Sequence, residues 1–264
     1  MLSSMPAQTI GDVHITGSDE FVWTIEVRRP PHNHFDVSLI RALVEAYRQA
    51  DADESCRVLV LCSEGKNFCA GADFSRRDRT AEEQADEANL YWEAIQLFET
   101  KKPVIAAVQG SAVGGGLGLA CSADFRVASP GSRFSANFAR LGFHHGFGLT
   151  ATLPAIVGQQ HTLDLLYRGR RITGTEASTI GLCDVLAPDD EIRTSAHTLA
   201  ADIARSGPLA VQAIRSTVRG GIAESVRQAL ERELAEQRRL TGTDDFAEGI
   251  RASAERREPR FTGR

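Results

Sequence analysis

The sequence predicts an α/β fold with a parallel sheet, followed by a helical C-terminal region. Short apolar runs of strand length recur in the first half of the chain, and segments with helical hydrophobic spacing separate them. The order strand, helix, strand is the order that forms βαβ crossovers. From about residue 195 onward the spacing is helical throughout. We therefore assign residues 1–195 to an α/β body and residues 196–264 to a helical region.

The first elements are predicted from their side chains. Residues 21–27 are rich in β-favouring side chains and end at consecutive arginines and prolines, which predicts a strand. Asp36 is the expected N-cap of the helix that follows, because apolar residues recur on one helical face over residues 39–47. Residues 57–62 and 104–108 are unbroken apolar runs, which are typical of strands covered on both faces.

The later elements of the body alternate in the same way. An amphipathic helix is predicted over residues 90–98 and a further strand over residues 125–128. Residues 150–167 have helical spacing. Thr173 and Glu176 have the spacing of a capping box, which predicts that another helix begins there.

The helical region contains four predicted segments, which cover residues 199–206, 209–218, a stretch ending at 240, and 244–257. The Glu- and Arg-rich run 224–239 carries opposite charges three or four residues apart, which favours a solvent-exposed helix face. We expect this region to pack on its own body or on a neighbouring subunit.

Composition excludes several classes of protein. The 264 residues are 42% hydrophobic and 25% charged, which is typical of a globular chain and argues against disorder. A net charge of −5 offers no basic field for nucleic acid or an anionic membrane. The five cysteines lack metal-ligand spacing and are expected to be reduced and mostly buried. No secretory signal and no apolar run of roughly 20 residues is present, so we expect a cytoplasmic protein. No metal site is expected.

Two loops that are rich in small residues follow predicted strands. The first, residues 65–74, follows the strand at 57–62, and the second, residues 110–118, follows the strand at 104–108. Glycines in such loops serve tight turns or close packing, or they aim backbone N–H groups at a ligand. The second loop lacks the Lys-Ser/Thr of an ATP-binding loop and the third glycine of a dinucleotide fingerprint, so ATP and NAD are disfavoured.

The position of the two loops suggests a different chemistry. Each follows a parallel strand of one sheet, so both are expected to open at its carboxyl edge. Two backbone N–H groups that converge there form an oxyanion hole, which stabilises charge developing on a carbonyl oxygen.

Together the motifs resemble those of the crotonase family, the enoyl-CoA hydratases and isomerases. The matching segments are Gly65–Phe74, Pro103–Gly118, Ser122–Ala128, Leu153–Gly158, Gly181–Pro188, Asp245–Arg251 and Glu255–Phe261. The resemblance covers about residues 10 to 264. It implies a spiral of ββα units with a C-terminal helical trimerisation region, assembled as a homotrimer or a dimer of trimers.

The resemblance also implies a ligand and its site. Members bind acyl-CoA thioesters, with coenzyme A as part of the substrate and no separate cofactor. The two oxyanion-hole donors fall on the backbone N–H groups of Ala72 and Gly115. The loop Ala70, Gly71, Ala72, Asp73 and Phe74 is expected to hold the adenine part of coenzyme A. Arg28, Arg29 or an arginine of a neighbour's tail is expected to meet its phosphates.

The chain departs from the family at two positions. Hydratases of the family place two glutamates around one water, and these positions are Gly118 and Phe138 here. Neither side chain transfers protons, although Phe138 is still expected to contact substrate. Hydration by two carboxylates therefore has no visible apparatus in the sequence.

Histidines are the alternative proton-transfer groups. His145, and less strongly His144, lie where other family members place variable catalytic residues, and imidazole suits general acid–base catalysis. Both have the alternative of being hydrogen-bonded loop residues. His32 and His34 are expected to be solvent-exposed or adjacent to the ligand, and Asp124 to be a structural cap.

Three hypotheses remain. The first is an enzyme that stabilises a thioester enolate in hydration or isomerisation of a 2-enoyl-CoA. The second is a C–C hydrolase or decarboxylase of the same fold that uses His145. The third is an acyl-CoA-binding protein without catalysis, consistent with the two replaced glutamates.

Overall fold

The computed structural model describes residues 6–72 and 90–264. Its strands are β1 (Gln8–Ile10), β2 (Val13–Gly17), β3 (Val22–Val27), β4 (Val58–Ser63), β5 (Val104–Val108), β6 (Ser111–Val113), β7 (Phe125–Ala128), β8 (Arg133–Ser135), β9 (Arg171–Thr173) and β10 (Val185–Leu186). Its helices are α1 (Val37–Ala52), α2 (Gly115–Ser122), α3 (Leu149–Arg168), α4 (Gly174–Thr179), α5 (Ile192–Ala204), α6 (Pro208–Arg219), α7 (Ile222–Thr241) and α8 (Asp244–Ala254). Short 3-10 helices cover Ile95–Phe98 and Ala139–Leu141.

A large sheet forms the centre of the body. Its strands lie in the order β1-β2-β3-β4-β5-β7-β10, and a small second sheet has the order β6-β8-β9. The pairs from β3 through β10 of the large sheet are parallel, which confirms the predicted parallel sheet. The antiparallel hairpin of β1 and β2 was not predicted, although Gly11 and Asp12 form its turn between Ile10 and Val13.

Both faces of the parallel strands are covered, which explains their unbroken apolar sequences. Leu59 and Leu61 of β4 point into the cluster that includes helix α1. Val58 and Val60 of the same strand point into a second cluster, which includes the alanines of α5. Adjacent residues of a strand face opposite sides, so a strand buried on both sides needs an apolar residue at every position.

Capping residues fix the helix starts as predicted. The side chain of Asp36 accepts a hydrogen bond from Leu39 N, and that of Thr173 accepts one from Glu176 N. Helix α5 spans the boundary expected near residue 195, so the division of the chain at that point stays a prediction.

The helical region packs on its own body. Helix α7 lies against α3 and the 3-10 helix at 95–98, and α8 lies against the 3-10 helix at 139–141. Asp124 ties α6 to the body, since its carboxylate accepts from Val104 N at 2.7 Å and pairs with Arg215 and Arg219 at 3.0 Å each. The expected structural role of Asp124 is consistent with these contacts.

The cysteines and the length and polarity of the helices match what the composition predicts. All five cysteines are free and buried. Across residues 6–72 and 90–264, no helix is both long and apolar enough to cross a membrane.

Candidate active site

The two small-residue loops meet beyond the carboxyl ends of β4 and β5. Cys69 pairs with Ala112 in an isolated parallel bridge, and Val113 N donates to Cys69 O at 3.0 Å. This pairing places the first loop beside the start of α2. A Cβ at Gly71 would lie 3.7 Å from Gly115 N, so the two loops are in direct contact.

Position 71 requires glycine because of its backbone conformation and because a side chain has no room there. Its φ of +86° lies in the region that side chains disfavour, and a Cβ would lie 2.8 Å from Val113 O. Glycine therefore allows the first loop to approach the second closely. The next residue is Ala72, whose N–H is one of the two predicted donors.

Among the residues that the structure describes, the predicted donor amides have no hydrogen-bond acceptor. Within the described ranges, neither Ala72 N–H nor Gly115 N–H donates a hydrogen bond to another residue. Gly115 is the first residue of α2, where N–H groups lack intrahelical acceptors and the helix dipole favours negative charge. Both amides are thus available to an oxygen atom of a ligand.

A cavity of about 270 Å³ opens beside these amides. Residues 70–72 and 113–115 form one side, and residues 250, 253 and 254 of α8 form another. The aromatic side chains of Phe35, Tyr91, Phe138 and Phe143 complete the wall. Among the lining residues that the structure describes, Tyr91 is the one with a titratable side chain. Tyr91 was not predicted from the sequence as a site residue.

Phe147 fills the space next to Gly118. A Cβ at Gly118 would lie 2.5 Å from the Cβ of Phe147. The Phe147 side chain is 1% exposed and packs edge-on against Phe35 and Tyr91, with ring centroids 5.7 and 6.0 Å away. A larger residue at position 118 has no room unless Phe147 moves.

His145 lies next to Phe138 and does not line the cavity. The two ring centroids are 6.4 Å apart, and His145 Nε2 lies 2.8 Å from Thr150 Oγ1. Burial, with a smaller contribution from the charge of His144, lowers the pKa of His145 to about 4. His145 is therefore neutral near pH 7, and its lowered pKa makes it a weaker base than an ordinary histidine. Its acid–base role stays a prediction.

His144 is held by the same loop. Its Nδ1 lies 2.8 Å from His145 O, and the two imidazole rings stack with centroids 4.1 Å apart. The carbonyl oxygen of His144 accepts from Gln237 Nε2 at 3.0 Å. Like His145, His144 does not line the cavity.

Glu233 of α7 is buried, so its predicted place on a solvent-exposed helix face is wrong. Its side-chain oxygens accept from Gly148 N and Thr150 N at 2.9 Å each, at the start of α3. Burial raises the pKa of Glu233. It lies on the apolar stripe of Val226, Leu230 and Leu234, and that position was the signal available in the sequence.

The remaining predicted contacts have mixed outcomes. Ala70, Gly71 and Ala72 line the cavity, whereas Asp73 and Phe74 lie outside the described residues. Both predicted arginines form ion pairs within the protein. Arg28 pairs with Glu26, and Arg29 with Asp12 and Asp36.

Comparisons with known proteins agree with the fold. A family model described as enoyl-CoA hydratase/isomerase matches residues 17–264. The chain is 33% identical to the 2,3-dehydroadipyl-CoA hydratase of Escherichia coli, over 95% of this chain and 98% of the relative. It is 28% identical to the 1,2-epoxyphenylacetyl-CoA isomerase of the same organism, over 92% and 95%. A crystal structure of an enoyl-CoA hydratase/isomerase from Pseudoalteromonas atlantica superimposes with a TM-score of 0.83 at 26% identity, covering 95% and 100% of the chains.

Proposed function

Because this chain belongs to the enoyl-CoA hydratase/isomerase family, we propose that it is an enzyme that binds an acyl-CoA thioester and stabilises its enolate. One observation carries the proposal: two unpaired amides, from Ala72 and Gly115, border one cavity where two loops touch. The thioester oxygen is the group that would accept from both.

The amides supply the electrostatic part of the reaction. When an enolate forms, negative charge moves onto the thioester oxygen, and fixed donors stabilise that charge more than they stabilise the ground state. Loss of one such donor lowers turnover by about 10²- to 10³-fold in enzymes of this kind. The position of Gly115 at the start of α2 adds the helix dipole to its hydrogen bond.

Proton transfer distinguishes the candidate reactions. The first candidate is hydration or double-bond isomerisation of a 2-enoyl-CoA, and a hydratase and an enoyl-CoA isomerase/hydratase are among the chain's relatives. Tyr91 is the titratable side chain among the described lining residues, and we propose it as the group that donates a proton to carbon. His145, whose ring lies beside Phe138, is the predicted acid–base residue.

The second candidate is decarboxylation of a 2-carboxyacyl-CoA. The specific observation in its favour is that no carboxylate or imidazole appears among the described lining residues. Loss of CO2 leaves its bonding electron pair on the α carbon and thioester oxygen, so the enolate forms without a base. Tyr91 would then donate a proton to the α carbon.

The test combines a substrate panel with removal of one donor. The panel contains crotonyl-CoA, a 3-enoyl-CoA and malonyl-CoA. Gly115→Pro removes the N–H at a helix position that tolerates proline. Since a Cβ at Gly115 would lie 2.1 Å from Phe35 Cζ, the substitution is made in a Phe35→Ala background.

We expect wild type to turn over at least one panel member and the double variant to be about 10²- to 10³-fold slower than Phe35→Ala alone. Equal rates in these two variants would contradict the assigned donor. Tight binding of every ester without turnover would instead favour the binding protein without catalysis.

A further inference from the structure

The carbonyl of Gly71 and the N–H of Ala72 belong to the same peptide group. Gly71 O accepts from Phe35 N at 3.2 Å and lies 3.0 Å from His34 Nδ1. Two groups from one segment therefore contact the carbonyl end of the peptide that carries the proposed donor N–H.

The contact requires a proton on Nδ1 of the His34 ring. A carbonyl oxygen only accepts hydrogen bonds, so Nδ1 must carry a proton to bond with it. The neutral ring satisfies this as the Nδ1–H tautomer, and the imidazolium satisfies it as well. In either form His34 donates to Gly71 O.

We infer that His34 is a positioning residue for the Ala72 amide, an inference that rests on the proposed function. A carbonyl that accepts hydrogen bonds polarises its peptide, and the N–H at the other end becomes a stronger donor. The bonds also fix the plane of a peptide that follows a glycine, the residue with the most backbone freedom.

The segment that carries His34 is itself firmly held. His32 O accepts from Ala70 N at 2.9 Å. Asn33 is fully buried, and its Nδ2 donates to Glu64 O at 2.8 Å and to Asn67 O at 2.7 Å. A segment anchored in this way can impose an orientation on the loop that it contacts.

The same segment also contacts the second donor. The Phe35 ring lies against the Cα of Gly115, since a Cβ there would overlap it. Residues 32–35 thus link the two halves of the proposed oxyanion hole, and His34 supplies the side-chain hydrogen bond of that link.

Side-chain substitutions separate the bond from the bulk of the ring. Asparagine can place its side-chain nitrogen near the position of Nδ1, whereas alanine offers no donor. With the best substrate of the panel, we expect His34→Ala to lower kcat about 3- to 10-fold, the effect of one ordinary hydrogen bond, with KM nearly unchanged. His34→Asn should recover most of the rate. The control His161→Asn changes an exposed histidine of α3 and should have no effect.

A spectroscopic readout tests the bond without relying on turnover. Gly71-Ala72 is the single Gly-Ala pair in the sequence, so labelling with carbonyl-13C glycine and 15N alanine marks that peptide alone. We expect one correlation peak between carbonyl carbon and amide. His34→Ala should shift this peak, His34→Asn should shift it less, and His161→Asn should leave it in place.

The two readouts distinguish failure of this inference from failure of the proposed function. A peak that is identical in His34→Ala and wild type would overturn the inference, as would an unchanged kcat in an active enzyme. If wild type turns over no ester, the proposed function fails, and the labelled peak still decides whether His34 bonds to Gly71.

Discussion

The side chain of Phe147 fills the space that a side chain at position 118 would occupy. Gly118 and Phe147 are 29 residues apart in sequence and in contact in the structure, with Phe147 occupying the volume next to the glycine Cα. Phe138 similarly places an aromatic ring at the cavity wall. An aromatic ring therefore occupies the space at both positions where the family resemblance implies glutamate.

Restoring a carboxylate at position 118 should require removal of the Phe147 ring. We expect Gly118→Glu alone to lower the free energy of unfolding by about 3 kcal/mol or more, because a charge would be forced against a packed aromatic side chain. Phe147→Ala alone should cost about 3–5 kcal/mol through its cavity. Urea unfolding should show that the double variant loses less free energy of unfolding than the two single variants lose together.

Strict additivity in that cycle would show that Phe147 does not fill the space beside residue 118. Crotonyl-CoA hydration, measured on the same variants, should be greater in the double variant than in Phe147→Ala.

The sequence identified Gly118 and Phe138 as departures and selected Ala72 and Gly115 from the family motifs. It did not reveal Phe147 or Tyr91 as partners of those positions, because contacts between distant segments depend on the packed structure. Local patterns in one chain carry no direct signal for such contacts.

At the scale of elements, the start of α3 is a polar cluster supported by α7. Glu233 accepts from Gly148 N and Thr150 N, so it caps a helix on which its own helix packs. His145 Nε2 lies 3.8 Å from Glu233 Oε1. The cluster connects the loop of the two histidines to the helical region.

His145 makes this cluster sensitive to pH. The pKa of His145 is lowered from 6.5 to about 4, so between these values the unfolded chain binds a proton that the native protein does not. The free energy of unfolding should therefore fall as pH falls from 6.5 toward 4, by up to about 3 kcal/mol from this residue.

Urea unfolding of wild type and His145→Gln across this range isolates the contribution. Glutamine has no titrating ring, so the variant should show the shallower dependence. Glu233 has the opposite sign, because its raised pKa lets the native state retain a proton above pH 4.5. Parallel curves for the two proteins would contradict the assignment to His145.

Elements with strong local signals were predicted well. Asp36 and Thr173 begin their helices as expected, and the continuous apolar runs are central strands. The β1–β2 hairpin was missed because its strands are short and carry polar residues. The burial of Glu233 was not predicted, because the prediction followed the charge of the residue and not its position on the apolar stripe of α7.

For the whole molecule, the helical region completes the cavity of its own chain. Helix α8 contributes Ile250, Ser253 and Ala254 to the wall, and it reaches this position through a close contact at Gly249. A Cβ at Gly249 would lie 2.5 Å from the backbone of Leu141. The sequence left open whether this region packs on its own body, because helical periodicity does not define a partner.

Enlarging residue 249 should therefore open the site. We expect Gly249→Val to push α8 away from Leu141 and to raise the Kd for a non-reactive acyl-CoA analogue by about 10-fold, the equivalent of losing part of one apolar wall. Ala247→Val is the matched control, since residue 247 is exposed on the same helix. Isothermal titration that gives equal affinities for both variants would argue against α8 as a wall of the ligand site.

The carbonyl stretch of a bound thioester tests the central claim most directly. An acyl-CoA labelled with 13C at the thioester carbon gives a distinct infrared band, and hydrogen bonds to its oxygen lower the frequency of that band. Saturating wild type should shift the band to lower frequency than in free ester. The shift should diminish when Gly115→Pro is added to Phe35→Ala. A fully bound ester with the frequency of free ester would contradict donation by the Ala72 and Gly115 amides.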